Sequence, residues 1–297
     1  MFKIWKLCSY IHKYNLFIPS QNFQQKISDL VNTSYSLRQS ADALYKQAED
    51  ELLQELGLKD YIPQNKKCFI KNLSEVEAAE RFDAEYFQPK YEAVIEKLRG
   101  YKGGCDVLGN VFDNVKQSFK IESNKKYNYV EIGDVNVSDG IITCNEVVGA
   151  ELPANAKFVL SEGDVVVSQV RPYRGAIAIV NKDGYVGSGA FSVLHEKKNS
   201  VVNKETLFVF LRTSLMLDFS LRFNTGTSYP VITNNDILNF DIPLFPQSIQ
   251  QSLSSKIQQS FANREKSLQL LELAKKAVEV AIEEGEEEAM KLKINNS

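Results

Sequence analysis

The chain has 297 residues, of which 43% are hydrophobic and 25% charged, so it can bury the core of one large domain or two of ordinary size. Its 35 lysines and arginines against 38 acidic residues give a formal charge of -3, which excludes a polycation that binds nucleic acids nonspecifically. No apolar stretch reaches the ~20 residues of a membrane helix, and residues 1–10 lack the apolar h-region of a secretory signal. The four cysteines and two histidines lack zinc-ligand spacing. We therefore expect a cytoplasmic protein with free thiols, no membrane segment and no metal site.

The first predicted element is a long helix over residues 20–57. Apolar residues recur there at steps of three and four, which is the spacing of a helical seam, and Gly57 is a typical helix-ending residue. The side chains expected in the seam are Ile27, Leu30, Leu37 and Leu44. Residues 1–19 precede this helix, and residues 58–82 are predicted to be a linker.

A globular domain is predicted over residues 83–245. Helices are expected at residues 83–99 and 204–222. Strands are expected where β-branched and aromatic runs are bounded by glycine turns, at 127–130, 140–144, 158–160, 164–169, 176–180 and 190–194. The pattern predicts a mixed sheet with flanking helices, of α+β class.

Three polar loops of this domain carry residue types that bind nucleic acids. Residues 169–175 interrupt two strands with Arg171, Tyr173 and Arg174, whose guanidiniums and phenol can contact guanine, phosphate or a stacked base. A solvated hairpin explains the same residues equally well. The other two loops contribute Lys116, Lys120, Thr225, Gly226, Thr227, Ser228 and Asn234. Each of them also fits an ordinary surface loop or helix end.

The last predicted element, over residues 246–291, repeats the first. Gln24 aligns with Gln250 and the offset stays constant, so that Arg38 matches Arg264. The seam residues expected in this second helix are Leu253, Ile257, Leu268 and Leu271. Because two helices of roughly 50 Å exceed what a compact domain needs, we expect them to pair as an antiparallel coiled-coil rod. The acidic run around Gly285 should end the second helix, leaving residues 292–297 as a tail.

Motifs for catalysis are missing from the sequence. There is no phosphate loop, nucleophile elbow or dinucleotide fingerprint, and no motif with which an amino-methyltransferase holds a flipped base. His195 beside Glu196 fits the edge of a strand better than it fits a general base. We therefore expect no catalytic residue in this chain.

In their order, these segments resemble the specificity (S) subunit of type I restriction-modification systems. The similarity rests on residues 81–87, 129–135, 163–168, 171–175, 225–227 and 242–246, followed by Gln250 and Gln251 at the start of the duplicated helix. The family pattern has two target recognition domains separated by two helical regions. This chain has one such domain between two helical regions. Residues 13–19 resemble residues 239–243, so residues 1–19 look like the remnant of a preceding recognition domain. The chain thus resembles either the distal half of a longer or rearranged specificity subunit or a half-subunit that pairs with a copy of itself.

The resemblance implies a non-catalytic subunit that recognises double-stranded DNA and directs its partners. Those partners would be methyltransferase subunits, which bind S-adenosylmethionine, and a restriction and translocase subunit; this chain would hold no cofactor. One recognition domain implies a homodimer or a second specificity chain. A coiled-coil adaptor whose middle domain binds protein is the alternative, and the absence of bulk positive charge in that domain favours it. The sequence specifies neither the bases recognised nor which side chains contact them.

Overall fold

The computed structural model describes residues 17–224 and 229–293. Contacts divide the described chain into two units, residues 17–44 with 258–293, and Tyr45–Ile257. Within the described ranges, no helix combines the length and apolarity needed to cross a membrane. Residues 1–16 of the predicted 1–19 segment, and residues 294–297 of the predicted tail, lie outside the described residues.

The two predicted long helices are α1, Gln21–Glu55, and α8, Gln247–Glu283. In the first unit they run antiparallel, and Ser34 and Ser267 each donate a 2.8 Å hydrogen bond from the hydroxyl to the other's carbonyl. The Ser260 hydroxyl likewise donates to the Ala41 carbonyl at 2.8 Å. In the repeat, Ser34 corresponds to Ser260 and Ala41 to Ser267, so these two contacts are related by an approximate twofold axis. The predicted packing of two long helices is confirmed.

The buried face of α8 differs from the predicted seam. Leu253 and Ile257 are fully buried, but Leu268 and Leu271 are 55% and 37% exposed, so the prediction for these two is wrong. The buried residues of α8 after Ile257 are Ser260, Arg264, Ser267, Leu270, Ala274, Ala277 and Ala281. These mostly small side chains let the helix backbones approach closely enough for hydroxyl-to-carbonyl hydrogen bonds. On α1, the side chains of Ile27, Leu30, Leu37 and Leu44 are half-buried.

Two predicted helices have different bounds in the structure, and the segment predicted to be a linker contains a helix of its own. The linker contains a short helix, α2, Leu73–Ala79, none of whose residues is buried. Helix α3 is Pro89–Arg99 and begins later than predicted, because proline favours the first helical turn. The region 204–222 is split into α5, Lys204–Arg212, and α6, Ser214–Phe219, because the Thr213 hydroxyl caps the start of α6.

Among its described residues, the second unit forms two four-stranded sheets and a two-stranded sheet. The first sheet is antiparallel throughout, in the order β2-β9-β6-β7, and the second has the order β4-β3-β8-β5 with β3 and β8 parallel. The strands are β1 Cys105–Val107, β2 Phe112–Asn114, β3 Lys126–Val130, β4 Asn145–Val148, β5 Ala156–Leu160, β6 Val165–Ser168, β7 Ile177–Ile179, β8 Tyr185–Ser188, β9 Phe191–Glu196 and β10 Asp241–Pro243. The helices α4, Leu108–Val111, and α7, Asn234–Leu238, precede β2 and β10, and α9, Glu286–Lys291, follows α8. The predicted α+β class is confirmed.

One predicted strand is absent. Residues 140–144 do not form a strand but belong to a tight hairpin, in which the Asn136 amide donates to the Ile141 carbonyl and Gly140 has a positive φ of 73°. Their only ladder contact among the described residues is an isolated bridge from Ile142 to Val135. Gly187 and Ser188, which follow a run without a predicted strand, lie inside β8.

The core of the second unit lies between the two large sheets. Buried residues of one sheet, such as Val166 and Phe191, pack with buried residues of the other, such as Val130 and Leu160. Helix α5 packs against β7 at one edge of the first sheet. This packing fixes the ends of the strands, from which the candidate loops project.

Candidate functional site

Several polar segments leave the same end of the first sheet. Strands β2 and β6 run antiparallel to β9, and β7 runs antiparallel to β6, so β2 and β6 finish at the end where β9 and β7 begin. The segments that follow Asn114 and Ser168 therefore project from one end of the sheet, together with the residues that precede Phe191 and Ile177. Two of the three predicted loops begin here.

Residues 169–175, here called the Arg171 turn, are braced by a segment that follows Tyr229. Val170 forms a bridge with Val231, the Arg171 amide donates to the Pro230 carbonyl at 2.8 Å, and the Ile232 amide donates to the Gln169 carbonyl at 2.9 Å. A 3-10 turn over Pro172–Arg174 follows and ends at Gly175, which has a φ of 76°. The segment is a turn held by hydrogen bonds to residues 230–232 rather than a free hairpin.

Arg171 has a left-handed backbone conformation, with φ 50° and ψ 53°. Such a conformation costs a residue with a Cβ roughly 1–2 kcal/mol. The guanidinium carbon lies 4.6 Å from the centre of the Tyr229 ring, and the ring itself is largely exposed. Arg174 is exposed and Tyr173 is half-buried. Backbone strain of this kind is concentrated at functional sites, where the surrounding structure maintains it.

The Arg171 turn forms one wall of a cleft of about 510 Å3, here called the Arg171 cleft. Its lining residues are Ile132, Gly133, Val135, Asn136, Val137, Val170, Arg171, Arg174, Ala176 and Tyr229. Apolar side chains and two guanidiniums therefore share one opening. A guanidinium can donate two hydrogen bonds to the edge of guanine, and an apolar surface can contact the methyl group of thymine.

Lys116 and Lys120 are both exposed but lie at different places in the unit. Lys116 follows directly on the end of β2, where the Val115 amide donates to the Val193 carbonyl, so it leaves the sheet at the same end as the Arg171 turn. The loop then crosses to the second sheet, where the Val159 amide donates to the Gln117 carbonyl. Lys120 follows Phe119, which packs against the second sheet through Tyr127.

The third predicted loop is described only in part. Thr225, Gly226, Thr227 and Ser228 lie outside the described residues. The side-chain oxygen Oδ1 of Asn234 accepts a 3.0 Å hydrogen bond from the side-chain Nδ2 of Asn114, which also donates to the Ser192 hydroxyl. This network ties Asn234 to the end of β2.

The stretch at residues 81–87, which carries part of the family resemblance, has contacts within the fold. Arg81 donates to the carbonyls of Phe223 and Asn224 and forms an ion pair with Asp83. Arg81 and Lys90 both line a second cleft of about 870 Å3, which is larger than the Arg171 cleft. Lys90 is paired there with Asp218 at 2.9 Å. Because these two cations have protein partners, this larger cleft offers less charge to a ligand than the Arg171 cleft does.

His195 lies at the opposite end of the first sheet. Its Nδ1 is 2.8 Å from the Asp164 carboxylate, and its side chain is 54% exposed. It is the penultimate residue of β9, which lies between β2 and β6, so it stands near the end of a strand and not at an edge of the sheet. Within the described ranges, no three His, Cys, Asp or Glu side chains are grouped to hold a metal ion.

Sequence reasoning missed Tyr229, Val137 and Arg212. Tyr229 lies in the third polar segment, residues 224–230, of which only Thr225 to Ser228 were expected to contact DNA. Val137 was assigned to no element, and Arg212 lay in the middle of a predicted helix. Their roles depend on contacts far apart in sequence, which local pattern does not indicate.

Comparison with known proteins identifies the family. Residues 108–273, more than half of the chain, match the family described as "Type I restriction modification DNA specificity domain". The chain is 26% identical over 151 residues to the HindI specificity subunit of Haemophilus influenzae, and 24% identical over 108 residues to the EcoDI specificity subunit of Escherichia coli. These alignments cover 49% and 36% of this chain, but 32% and 23% of the two relatives, so the match spans about a third of their length or less.

A solved structure is also similar. The HsdS subunit of Thermoanaerobacter tengcongensis aligns with a TM-score of 0.46 and 27% identity, over 61% of this chain and 47% of that one. The family assignment depends on the residue match, which covers the domain that carries the Arg171 turn and continues into α8. This chain belongs to the type I restriction modification DNA specificity domain family.

Proposed function

We propose that the chain is the DNA-recognition and scaffolding subunit of a type I restriction-modification complex, acting in the cytoplasm without a catalytic site of its own. The observation that carries this proposal is the Arg171 turn, where two guanidiniums border a cleft at the end of a rigid sheet in a DNA specificity domain. Base edges would be read by the Arg171 turn. Phosphate contacts from Lys116, Lys120 and the loop around Thr225 would fix the register on the duplex.

The long helices would hold the catalytic partners. Methyltransferase subunits would bring S-adenosylmethionine and modify adenine, and a restriction and translocase subunit would complete the assembly. A chain with one recognition domain reads one half of a two-part site, so it would act as a homodimer or with a second specificity chain. In a homodimer, the two half-sites must be inverted copies.

A selection experiment tests the proposal. The full chain, bound to a methyltransferase subunit, is mixed with duplexes that carry a randomised 30-base-pair window, and the retained duplexes are sequenced. We expect an enriched half-site sequence and a binding constant that falls steeply with salt, by about 0.9 logarithmic units per contacted phosphate for each tenfold rise in salt. Light scattering on the purified chain reports whether it is a dimer.

The adaptor hypothesis predicts a different result. If the middle domain binds protein, no sequence is enriched and duplex binding is weak in every salt concentration. Sequencing of modified adenines in cells with and without the gene provides an independent test. An unchanged methylation pattern would contradict the proposal.

A further inference from the structure

Arg212 is a buried cation that contacts three separate parts of the second unit. It ends α5 and is only 7% exposed. Its Nη1 donates to the carbonyls of Gly175 and Ile177, both at 3.0 Å, and its Nη2 donates to the carbonyl of Val137 at 3.1 Å. Its Nε donates to the Tyr45 hydroxyl at 3.0 Å. Four hydrogen bonds thus leave from one side chain.

The carbonyl acceptors belong to both walls of the Arg171 cleft. Gly175 ends the Arg171 turn, and Val137 belongs to the hairpin on the other side of the cleft. The walls are close at this point, because a Cβ added to Gly175 would lie 4.0 Å from the Val137 carbonyl oxygen. The separation of the walls is therefore fixed beneath the cleft by one guanidinium.

The chemistry of the site requires arginine. The three carbonyls lie in different directions, and a planar guanidinium presents its N–H groups in a fixed fork, whereas a lysine ammonium is a point charge on a flexible stem. The Arg212 guanidinium also lies 5.0 Å from the Phe208 ring centre and 5.4 Å from that of Tyr45. Burial raises the pKa of the Tyr45 hydroxyl, although the charge of Arg212 opposes this, so Tyr45 acts here as a neutral acceptor.

Burial of the Arg212 guanidinium does not by itself indicate that the residue stabilises the fold. Transferring the charge from water to the interior costs free energy that its hydrogen bonds only partly offset. The three carbonyls and one hydroxyl that accept hydrogen bonds from this guanidinium instead indicate that Arg212 fixes the relative positions of the segments that carry them. Of these acceptors, Val137 lines the Arg171 cleft, and Gly175 lies between two residues that line it, Arg174 and Ala176.

We infer that Arg212 is a positioning residue for base recognition: it sets the distance between the Arg171 turn and the Val137 hairpin, and through Tyr45 it ties both to α1. The inference rests on the proposed function. Arg212 itself touches no DNA. It determines where the guanidiniums of Arg171 and Arg174 stand relative to the opposite wall.

The test uses Arg212→Lys in the full chain with its methyltransferase partner. The half-site selected with the unsubstituted protein is bound alongside duplexes that each change one base pair. We expect the substitution to reduce discrimination at one or more base pairs about tenfold, within the range of a bidentate base contact, while the salt slope stays unchanged. A purely structural role would lower binding to every duplex equally, in proportion to the unfolded fraction.

A second variant, Tyr45→Phe, keeps the ring and removes one acceptor, so it should fold even if Arg212→Lys does not. We expect a loss of discrimination of about threefold at the same base pairs, because one of four constraints on the guanidinium is gone. Unchanged discrimination in the folded variants would overturn the inference while leaving the proposed function intact. Failure of the unsubstituted protein to select any sequence would overturn both.

Discussion

Arg171 and Tyr229 are 58 positions apart in the sequence, and the guanidinium carbon of one lies 4.6 Å from the ring centre of the other. The contact forms where a left-handed Arg171 backbone meets the segment that begins at Tyr229. A cation above an aromatic ring is attracted by about 0.5–1 kcal/mol at an exposed site. This attraction holds the guanidinium at the mouth of the Arg171 cleft.

Arg171→Ala and Arg171→Gly separate the side chain from the backbone strain. Both should weaken binding to the selected duplex by roughly 1–3 kcal/mol and relax preference at one base pair, because both lose the guanidinium. The glycine variant should be about 1 kcal/mol more stable to unfolding than the alanine variant, because glycine adopts φ 50° without a steric penalty. Denaturant unfolding and duplex titration measure the two effects.

Arg174→Ala is the companion variant, since Arg174 is exposed on the same turn. If Arg171→Ala and Arg174→Ala both keep normal binding and site preference, the Arg171 turn is not part of the DNA-contacting surface. The turn would then be a solvated loop, for which substitutions change stability by only about 0.5 kcal/mol.

Lys116→Ala should weaken binding to all duplexes alike and reduce the salt slope by about 0.9, because a lysine that contacts phosphate releases one counterion without reading a base. Lys198→Ala is the matched control. It is also exposed but follows β9 at the opposite end of the first sheet, and should leave both quantities unchanged. Equal effects of the two substitutions would mean that the charge acts at long range and not by contact.

Leu253→Asp and Leu268→Asp test the face that α8 buries. Leu253 is fully buried, so an unpaired carboxylate there should cost several kcal/mol of folding free energy, of order 3–5 kcal/mol. Leu268 is 55% exposed, and its substitution should stay within about 0.5 kcal/mol. Thermal unfolding of both variants at equal concentration measures the difference. A large loss of folding free energy in Leu268→Asp would mean that Leu268 belongs to the buried seam, as the sequence pattern predicts.

Cys105 should react slowly with iodoacetamide at neutral pH. Burial, reinforced by the charge of Asp241, raises the pKa of the Cys105 thiol to about 11. Since only the thiolate reacts, the rate at Cys105 should rise tenfold per pH unit from pH 7 to 10 without a plateau. Because the folded state holds this proton more tightly than the unfolded state does, the thiol's contribution to stability is lost as pH rises from about 9 to about 11.

Mass spectrometry of the labelled peptides measures these rates, with the exposed thiol of Cys68 as the internal reference. A plateau in the Cys105 rate near pH 8.5 would show that its partly buried thiol is more exposed in solution than in the structure.

Local sequence pattern was sufficient to predict the helices and strands whose characteristic residues recur within a few positions. The apolar spacing of residues 20–57 and 246–291 predicted α1 and α8, and the ordered motifs indicated the family that the match over residues 108–273 established. The run of β-branched residues before Arg171 predicted β6, and the strand after Gly175 is β7. These features depend on residues within a few positions of each other, which is the range over which backbone preference and side-chain periodicity act.

Tertiary structure decided which faces and which distant residues meet. Successive residues of a helix point about 100° apart, so the burial of Ser267 and Leu270 rather than Leu268 and Leu271 depended on how closely α1 could approach. Tyr229 reached Arg171, and Arg212 reached Tyr45 and Val137, only because packed sheets and helices brought together segments far apart in the chain. Periodicity determined that these elements form, while the geometry of close packing between them determined the cleft.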